Sequence, residues 1–136
     1  MKHYECDTII IRCTDYKINT CVQNWIDESK LRCDVFAVHG GAKALISSSV
    51  EVTDYILRQI QLSIALHKAK EIILMYHFNC DAYRFYLCAS EREEFFLQDK
   101  TITAAEEILK EYFGESIKIR KIWIGSKITN NSVTAF

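Results

Sequence analysis

Thr8-Ile9-Ile10-Ile11-Arg12 is a short β-branched run without alternation of apolar and polar residues. A strand of that composition buries both faces, as strands of a parallel sheet do; a half-exposed strand would alternate with period two. Two runs of the same kind follow, Asp34-Val35-Phe36-Ala37-Val38 and Glu71-Ile72-Ile73-Leu74-Met75-Tyr76. Helical patterns separate them. Residues 18–30 place Val22, Trp25 and Ile26 at helical spacing, and a longer segment does the same with Tyr55, Ile56, Ile60, Ile64 and His67. Ser48-Ser49-Val50-Glu51 has the spacing of a capping box, with Ser48 as the cap of that longer helix. His67, in its last turn, is read as a partner of the helix dipole. Residues 82–98 read as mixed helix and loop. Thr103-Ala104-Ala105-Glu106 offers a second capping box, opening a helix that runs to Phe113 and stops at Gly114. Ile117, Ile119 and Ile122-Trp123-Ile124 supply a last strand. The order β-α-β-α-β-α-β predicts an α/β, doubly wound sheet with right-handed crossovers.

Composition narrows the function classes. The chain has 136 residues, 49% hydrophobic and 26% charged, and is expected to fold as one domain spanning 1–136. Seventeen basic residues face eighteen acidic ones, and no basic stripe stands out, which argues against a nucleic-acid partner. The longest apolar runs are about five residues, far short of the roughly 20 that cross a bilayer. The start, Met1-Lys2-His3-Tyr4-Glu5-Cys6-Asp7, carries no apolar signal region, so a cytoplasmic location and no membrane partner are expected. In that compartment cysteines are thiols or metal ligands. Cys6, Cys21, Cys33 and Cys88 read as buried thiols, since no C-x-x-C spacing is present.

Open parallel sheets bind ligands beyond the carboxyl ends of their strands. The residues there are Cys13, Thr14 and Asp15 after the first strand, His39, Gly40 and Gly41 after the second, and His77, Phe78, Asn79 and Cys80 after the third. If the first and third strands are neighbours, Cys13, His77 and Cys80 converge. Two thiolates and one imidazole suit Zn2+, one per chain, and three protein ligands leave a fourth position open, as catalytic sites do. Asp15, two residues from Cys13 and so on the same side of an extended segment, can orient a metal-bound water or take the fourth position itself.

Cys13-Thr14-Asp15-Tyr16-Lys17 resembles the C-x-D-x-R motif of the β-class carbonic anhydrases, and His77-Phe78-Asn79-Cys80 resembles their H-x-x-C motif. His39-Gly40-Gly41-Ala42-Lys43 stands in the place of the family's glycine-containing loop. The similarity spans residues 7–83. Lys17 stands where the family has arginine, and Tyr76 and Asp81 stand where it usually has glycine, so the chain resembles a compact, divergent member. The resemblance implies a three-layer fold with a mainly parallel four-stranded sheet, strand order about 2-1-3-4, flanked by helices. It implies zinc on Cys13, His77 and Cys80, with Asp15 and Lys17 as the catalytic pair. The reaction it implies is reversible hydration of carbon dioxide to bicarbonate by zinc-bound hydroxide.

Backbone amides at Gly40 and Gly41 are expected to bind an oxygen of the product. His39, Tyr16, Phe78 and Tyr83 are expected to line the substrate space. A homodimer or a higher homo-oligomer is implied, with Trp123 on an edge strand as a possible interface residue. Three other readings remain open at the level of sequence. The same site could hydrolyse carbonyl sulfide or carbon disulfide. It could be an inactive zinc- or anion-binding module closed by Asp15. Or the chain could be a metal-free structural domain in which Cys13 and Cys80 form a disulfide.

Overall fold

The computed structural model describes residues 2–47, 49–83 and 90–129; Ser48 and Cys88 lie outside the described residues. Five strands form one sheet: β1 (Thr8–Arg12), β2 (Cys33–Ala37), β3 (Glu71–His77), β4 (Lys118–Ile124) and β5 (Ile128–Thr129). Their order is β2-β1-β3-β4-β5. The first four are mutually parallel, in the order 2-1-3-4. The two-residue β5 adds an antiparallel edge through Trp123–Thr129 and Ile124–Ile128.

Every residue of β1 is buried, as its unbroken β-branched character requires. Successive side chains take opposite faces of the sheet. Ile9, Ile11, Ile72, Leu74, Tyr76 and Trp123 pack with Ile56 and Ile60 of α3 (Val50–His67) and with Phe95, Ile102, Ala105 and Leu109 of α4 (Glu91–Phe113). On the other face Ile10, Ile73, Met75, Ile122 and Ile124 pack with Ile18 and with Val22 of α1 (Asn19–Ser29). Three layers result. Each fully buried isoleucine stabilises the fold by roughly 1.5–3 kcal/mol relative to exposure.

Three local expectations are corrected. α3 is capped by Ser49, whose hydroxyl accepts from the Val52 amide at 3.4 Å. The chain reaches it through a 3-10 turn at Gly41–Lys43 and the short α2 (Ala44–Ser47), which leaves the cap one residue later than Ser48. α4 does not open at Thr103. It opens after Ser90, which accepts from the Glu93 amide at 3.2 Å, and runs 23 residues to Phe113. Thr103 sits mid-helix, its hydroxyl taken by Lys121 Nζ at 2.8 Å. Its capping-box spacing is a coincidence that helix continuation overrides. The stop is as expected: Gly114, at φ +79°, sends its amide to the Lys110 carbonyl at 2.9 Å. Trp123, expected on an edge strand, is 1% exposed, because β5 pairs outside it and its ring packs 5.3 Å from both Tyr76 and Phe95. Among the described residues no helix is long and apolar enough to cross a membrane.

Candidate metal centre

β1 and β3 are hydrogen-bonded neighbours, with Ile11 opposite Leu74. Their carboxyl ends therefore deliver Cys13, which follows β1, next to His77, which ends β3, and Cys80 three residues on. All three are buried, at 4%, 2% and 4% exposure. Their ligand atoms lie within 4.8 Å of one another, and the two sulfurs are 3.8 Å apart. A tetrahedral zinc with Zn–S of about 2.3 Å sets its sulfurs about 3.8 Å apart. Both cysteines are free, so the two sulfurs are not joined as a disulfide in this structure.

The imidazole is held ready for a metal. His77 Nδ1 lies 2.9 Å from the Phe78 carbonyl oxygen, which can only accept, so Nδ1 carries the hydrogen. Nε2 is left as a lone pair, buried and without a hydrogen-bond partner. An orphaned buried nitrogen beside two thiols is what a missing cation would satisfy, and the donor set fits zinc.

Electrostatics favour a thiolate. The hydrogen bond from Cys80 pulls the Cys13 thiol far down; burial opposes this, and His77 and the Gly40 amide assist it. Gly40 N–H donates to Cys13 Sγ at 3.3 Å. The same shared hydrogen bond, together with burial, pushes Cys80 up. Burial disfavours a charged His77, but the adjacent Cys13 sulfur, the Phe78 carbonyl and Asp15 raise its pKa.

Asp15 stands at the mouth of this group. Its Oδ1 accepts from the Lys17 amide at 2.9 Å, and its Oδ2 lies 3.1 Å from Lys17 Nζ and 3.9 Å from His77 Nε2. Burial pushes its carboxyl up, but the amide and ammonium of Lys17, with His77, outweigh that and hold it below the usual carboxylate range. The loop carrying Cys13 and Asp15 is braced by Arg12, 8% exposed, which donates to the Cys13 carbonyl (2.8 Å), the Asp15 carbonyl (3.0 Å) and Asn19 (2.7 Å).

A cleft of about 260 Å³ opens above Cys13, lined by Thr14, Asp15, Tyr16, Lys17, His39 and Asp81. Tyr16 and His39, expected to line the substrate space, are both in this lining. Phe78 and Tyr83 do not line this cleft. Tyr83 is buried against Cys13 and Cys80, beneath the thiols, whereas Phe78 is 46% exposed. The two glycine amides are also committed differently from expectation: Gly40 donates to Cys13 sulfur and Gly41 to the Val38 carbonyl at 2.7 Å. Gly41 serves by its lack of a side chain. At φ +59°, a Cβ there would lie 3.3 Å from the backbone of Arg12 and Cys13.

A second group with ligating atoms, Cys6, Asp34 and His67, lies near the opposite ends of the strands. There His67 is more than a dipole partner, as its Nδ1 meets Asp34 Oδ2 at 2.6 Å. Ser63 and Tyr4 also donate to this carboxylate, each at 2.6 Å. Zinc ligands stand about 3.3 Å apart in a tetrahedral N,O set, so this group is a saturated hydrogen-bond tie. Of the other cysteines, Cys6 is buried, but Cys21 and Cys33 are only half-buried.

Sequence reasoning passed over Arg12, Glu94 and Gln98, and noted Asp81 only as a departure from the resembled family. Arg12 carried a signal, a guanidinium ending a strand buried on both faces. Glu94 and Gln98 carried one only once α4 was recognised.

The fold and site define a class: a doubly wound α/β protein with two thiols and one imidazole gathered at the carboxyl ends of adjacent strands. The family model described as "Putative carbonic anhydrase" matches residues 3–134, and the chain belongs to that family. A search of the curated proteins found no match. Among solved structures, an apo carbon disulfide hydrolase superposes with TM-score 0.62 at 12% identity, covering 95% of this chain and 79% of its own. A carbonic anhydrase from Glaciozyma antarctica gives 0.57 at 14%, covering 92% and 81%. A β-carbonic anhydrase, isoform I, from Trichomonas vaginalis gives 0.54 at 15%, covering 96% and 84%. At these identities the likeness establishes a shared fold.

Proposed function

We propose that this protein is a zinc-dependent carbonate dehydratase, interconverting carbon dioxide and bicarbonate. The observation that carries the reading is the orphaned His77 Nε2 within ligand distance of Cys13 and Cys80, with Cys13 lining an open cleft. Cys13, His77 and Cys80 would hold one ion. When bound, it supplies the activation of water at neutral pH that hydration needs. Asp15, kept ionised by Lys17, is an acceptor-only group that orients a water's proton away from the substrate. Lys17 Nζ pairs with Asp15 Oδ2 at 3.1 Å, and Asp15 is not among the three groups whose ligand atoms all lie within 4.8 Å of one another. That supports an active centre over the closed, inactive module.

The carbon disulfide and carbonyl sulfide reading uses the same residues. Asp15, Lys17 and Asp81 bring charge to a cleft whose lining is otherwise mainly apolar; carbon dioxide, itself a heterocumulene, would enter by the same route, and product analysis separates the substrates. Free thiols and the absence of a spanning helix among the described residues support a cytoplasmic location. β2 is an edge strand with Val35 49% exposed, which supports assembly into a homodimer.

The test pairs metal analysis with stopped-flow hydration of carbon dioxide on wild type and Cys80→Ser. One zinc per chain and hydration in wild type, with zinc held more weakly and hydration lost in the variant, support the reading. A zinc-loaded wild type that leaves carbon dioxide untouched overturns it, and sulfide release from carbonyl sulfide or carbon disulfide would then transfer the site to that chemistry.

A further inference from the structure

His77 and Cys80 lie at the two ends of one tight turn, so the distance between Nε2 and Sγ is set by the backbone between them. The first half of that turn is tied to the sheet and to itself, with Phe78 N–H on the Ile124 carbonyl of β4 at 2.9 Å and the His77 ring on the Phe78 carbonyl at 2.9 Å. The second half is not. Asn79 sits at φ +60°, a left-handed conformation that costs most side chains energy and that asparagine tolerates. It turns its amide away from the sheet, toward the Glu94 carboxylate, which accepts it. The Cys80 amide also donates to Glu94. One turn along α4, Gln98 Nε2 donates to the His77 carbonyl at 2.8 Å.

Glu94 is 8% exposed and Gln98 0%. Burying a carboxylate is unfavourable unless it is well hydrogen-bonded, and here the two amides it satisfies flank a candidate ligand. We propose, building on the metal-centre reading above, that Glu94 is a positioning residue. It clamps the Asn79–Cys80 backbone so that Cys80 Sγ and His77 Nε2 meet one ion, with Gln98 anchoring the His77 end. α4 thereby acts as a rigid jig for the turn. Second-layer partners of metal ligands typically contribute 10–100-fold in affinity.

The experiment compares wild type, Glu94→Ala, Glu94→Gln and, as a control on the same helix, Glu107→Ala, whose side chain is 68% exposed. Each is loaded with cobalt(II) or zinc. The readouts are release to a competing chelator, the cobalt–thiolate absorption, and melting of the apo and loaded forms. Glu94→Ala is expected to weaken zinc binding by about 10–100-fold and to perturb the cobalt spectrum. Its loaded form should lose more melting temperature than its apo form. Glu94→Gln, near-isosteric and retaining one acceptor oxygen, recovers part of the affinity and keeps the test alive if the alanine variant does not fold. Glu107→Ala behaves as wild type. Equal affinity and an unchanged cobalt spectrum in both Glu94 variants overturn the proposal, as does an equal loss of melting temperature with and without metal. If wild type takes up no metal, the metal-centre reading itself falls and takes this proposal with it. That outcome is distinct from a wild type and Glu94→Ala that bind equally well.

Discussion

Lys17 Nζ lies 3.1 Å from Asp15 Oδ2, the oxygen that in turn lies 3.9 Å from the orphaned His77 Nε2. The ammonium thus pairs with the same carboxylate oxygen that lies nearest the imidazole. It is a point charge where a guanidinium would offer a planar fork. Lys17→Ala is expected to reduce hydration by about tenfold. The sign of its pH effect follows from the cause. Lys17 helps hold the Asp15 carboxyl low, so removing it raises that pKa and shifts the acid limb of the pH–rate profile upward. Lys17→Arg keeps the charge and should keep the wild-type limb. Stopped-flow profiles of the three proteins decide it; superimposable acid limbs would contradict the assignment.

Gly41 fills a place where the β1 end and the following loop approach most closely. Gly41→Ala would meet Arg12 and Cys13 backbone at 3.3 Å in a left-handed conformation. The expected cost is about 1–3 kcal/mol, together with weaker metal binding, because the displaced backbone carries Cys13. Urea melts with and without zinc measure both effects. A variant as stable as wild type would show that the loop yields freely.

Much of this was legible from the residues. β1 was readable to its last residue because Thr8–Ile11 have no polar partner for a solvent face. The convergence of Cys13, His77 and Cys80 followed, since open sheets put sites at strand ends. The first half of α4 was not legible. Its inward positions include Glu94 and Gln98 as well as Phe95, Ile102, Ala105 and Leu109, and buried polar groups break an apolar period. Their burial makes sense only beside the turn they hold, which is set by tertiary structure. His67 and Asp34 are 33 residues apart in sequence, so no local pattern announces their tie. β5, two residues long, is too short to carry a strand signal.

The Asp34 tie gives a pH prediction. Burial raises this carboxyl, but hydrogen bonds from Ser63, Tyr4 and His67 outweigh it and depress the pKa. The unfolded chain therefore binds that proton more tightly. The tie's contribution is present above the ordinary carboxylate value of about 3.9 and is lost as pH falls through the lower folded value. Asp34→Asn should destabilise the neutral protein by roughly 1.5–3 kcal/mol and flatten the acid end of the stability curve. Chemical denaturation at a series of pH values checks it; an unchanged acid slope would remove Asp34 from the account.

Phe95, fully buried, stacked with Tyr76 and edge-on to Trp123, anchors α4 to the sheet. Phe95→Ala is expected to cost about 3–5 kcal/mol. Because α4 also holds the ligand turn, metal release should quicken in parallel. Thermal melts beside chelator kinetics test this; slower unfolding or unaltered release would break the link between helix and site.

The central claim is that Cys13, His77 and Cys80 share one ion. X-ray absorption at the zinc edge of the loaded protein tests it most directly. The account predicts two sulfur neighbours at about 2.3 Å and nitrogen or oxygen neighbours at about 2.0–2.1 Å, with Cys80→Ser lowering the sulfur count by one. A first shell without sulfur, or one unchanged in that variant, would contradict it.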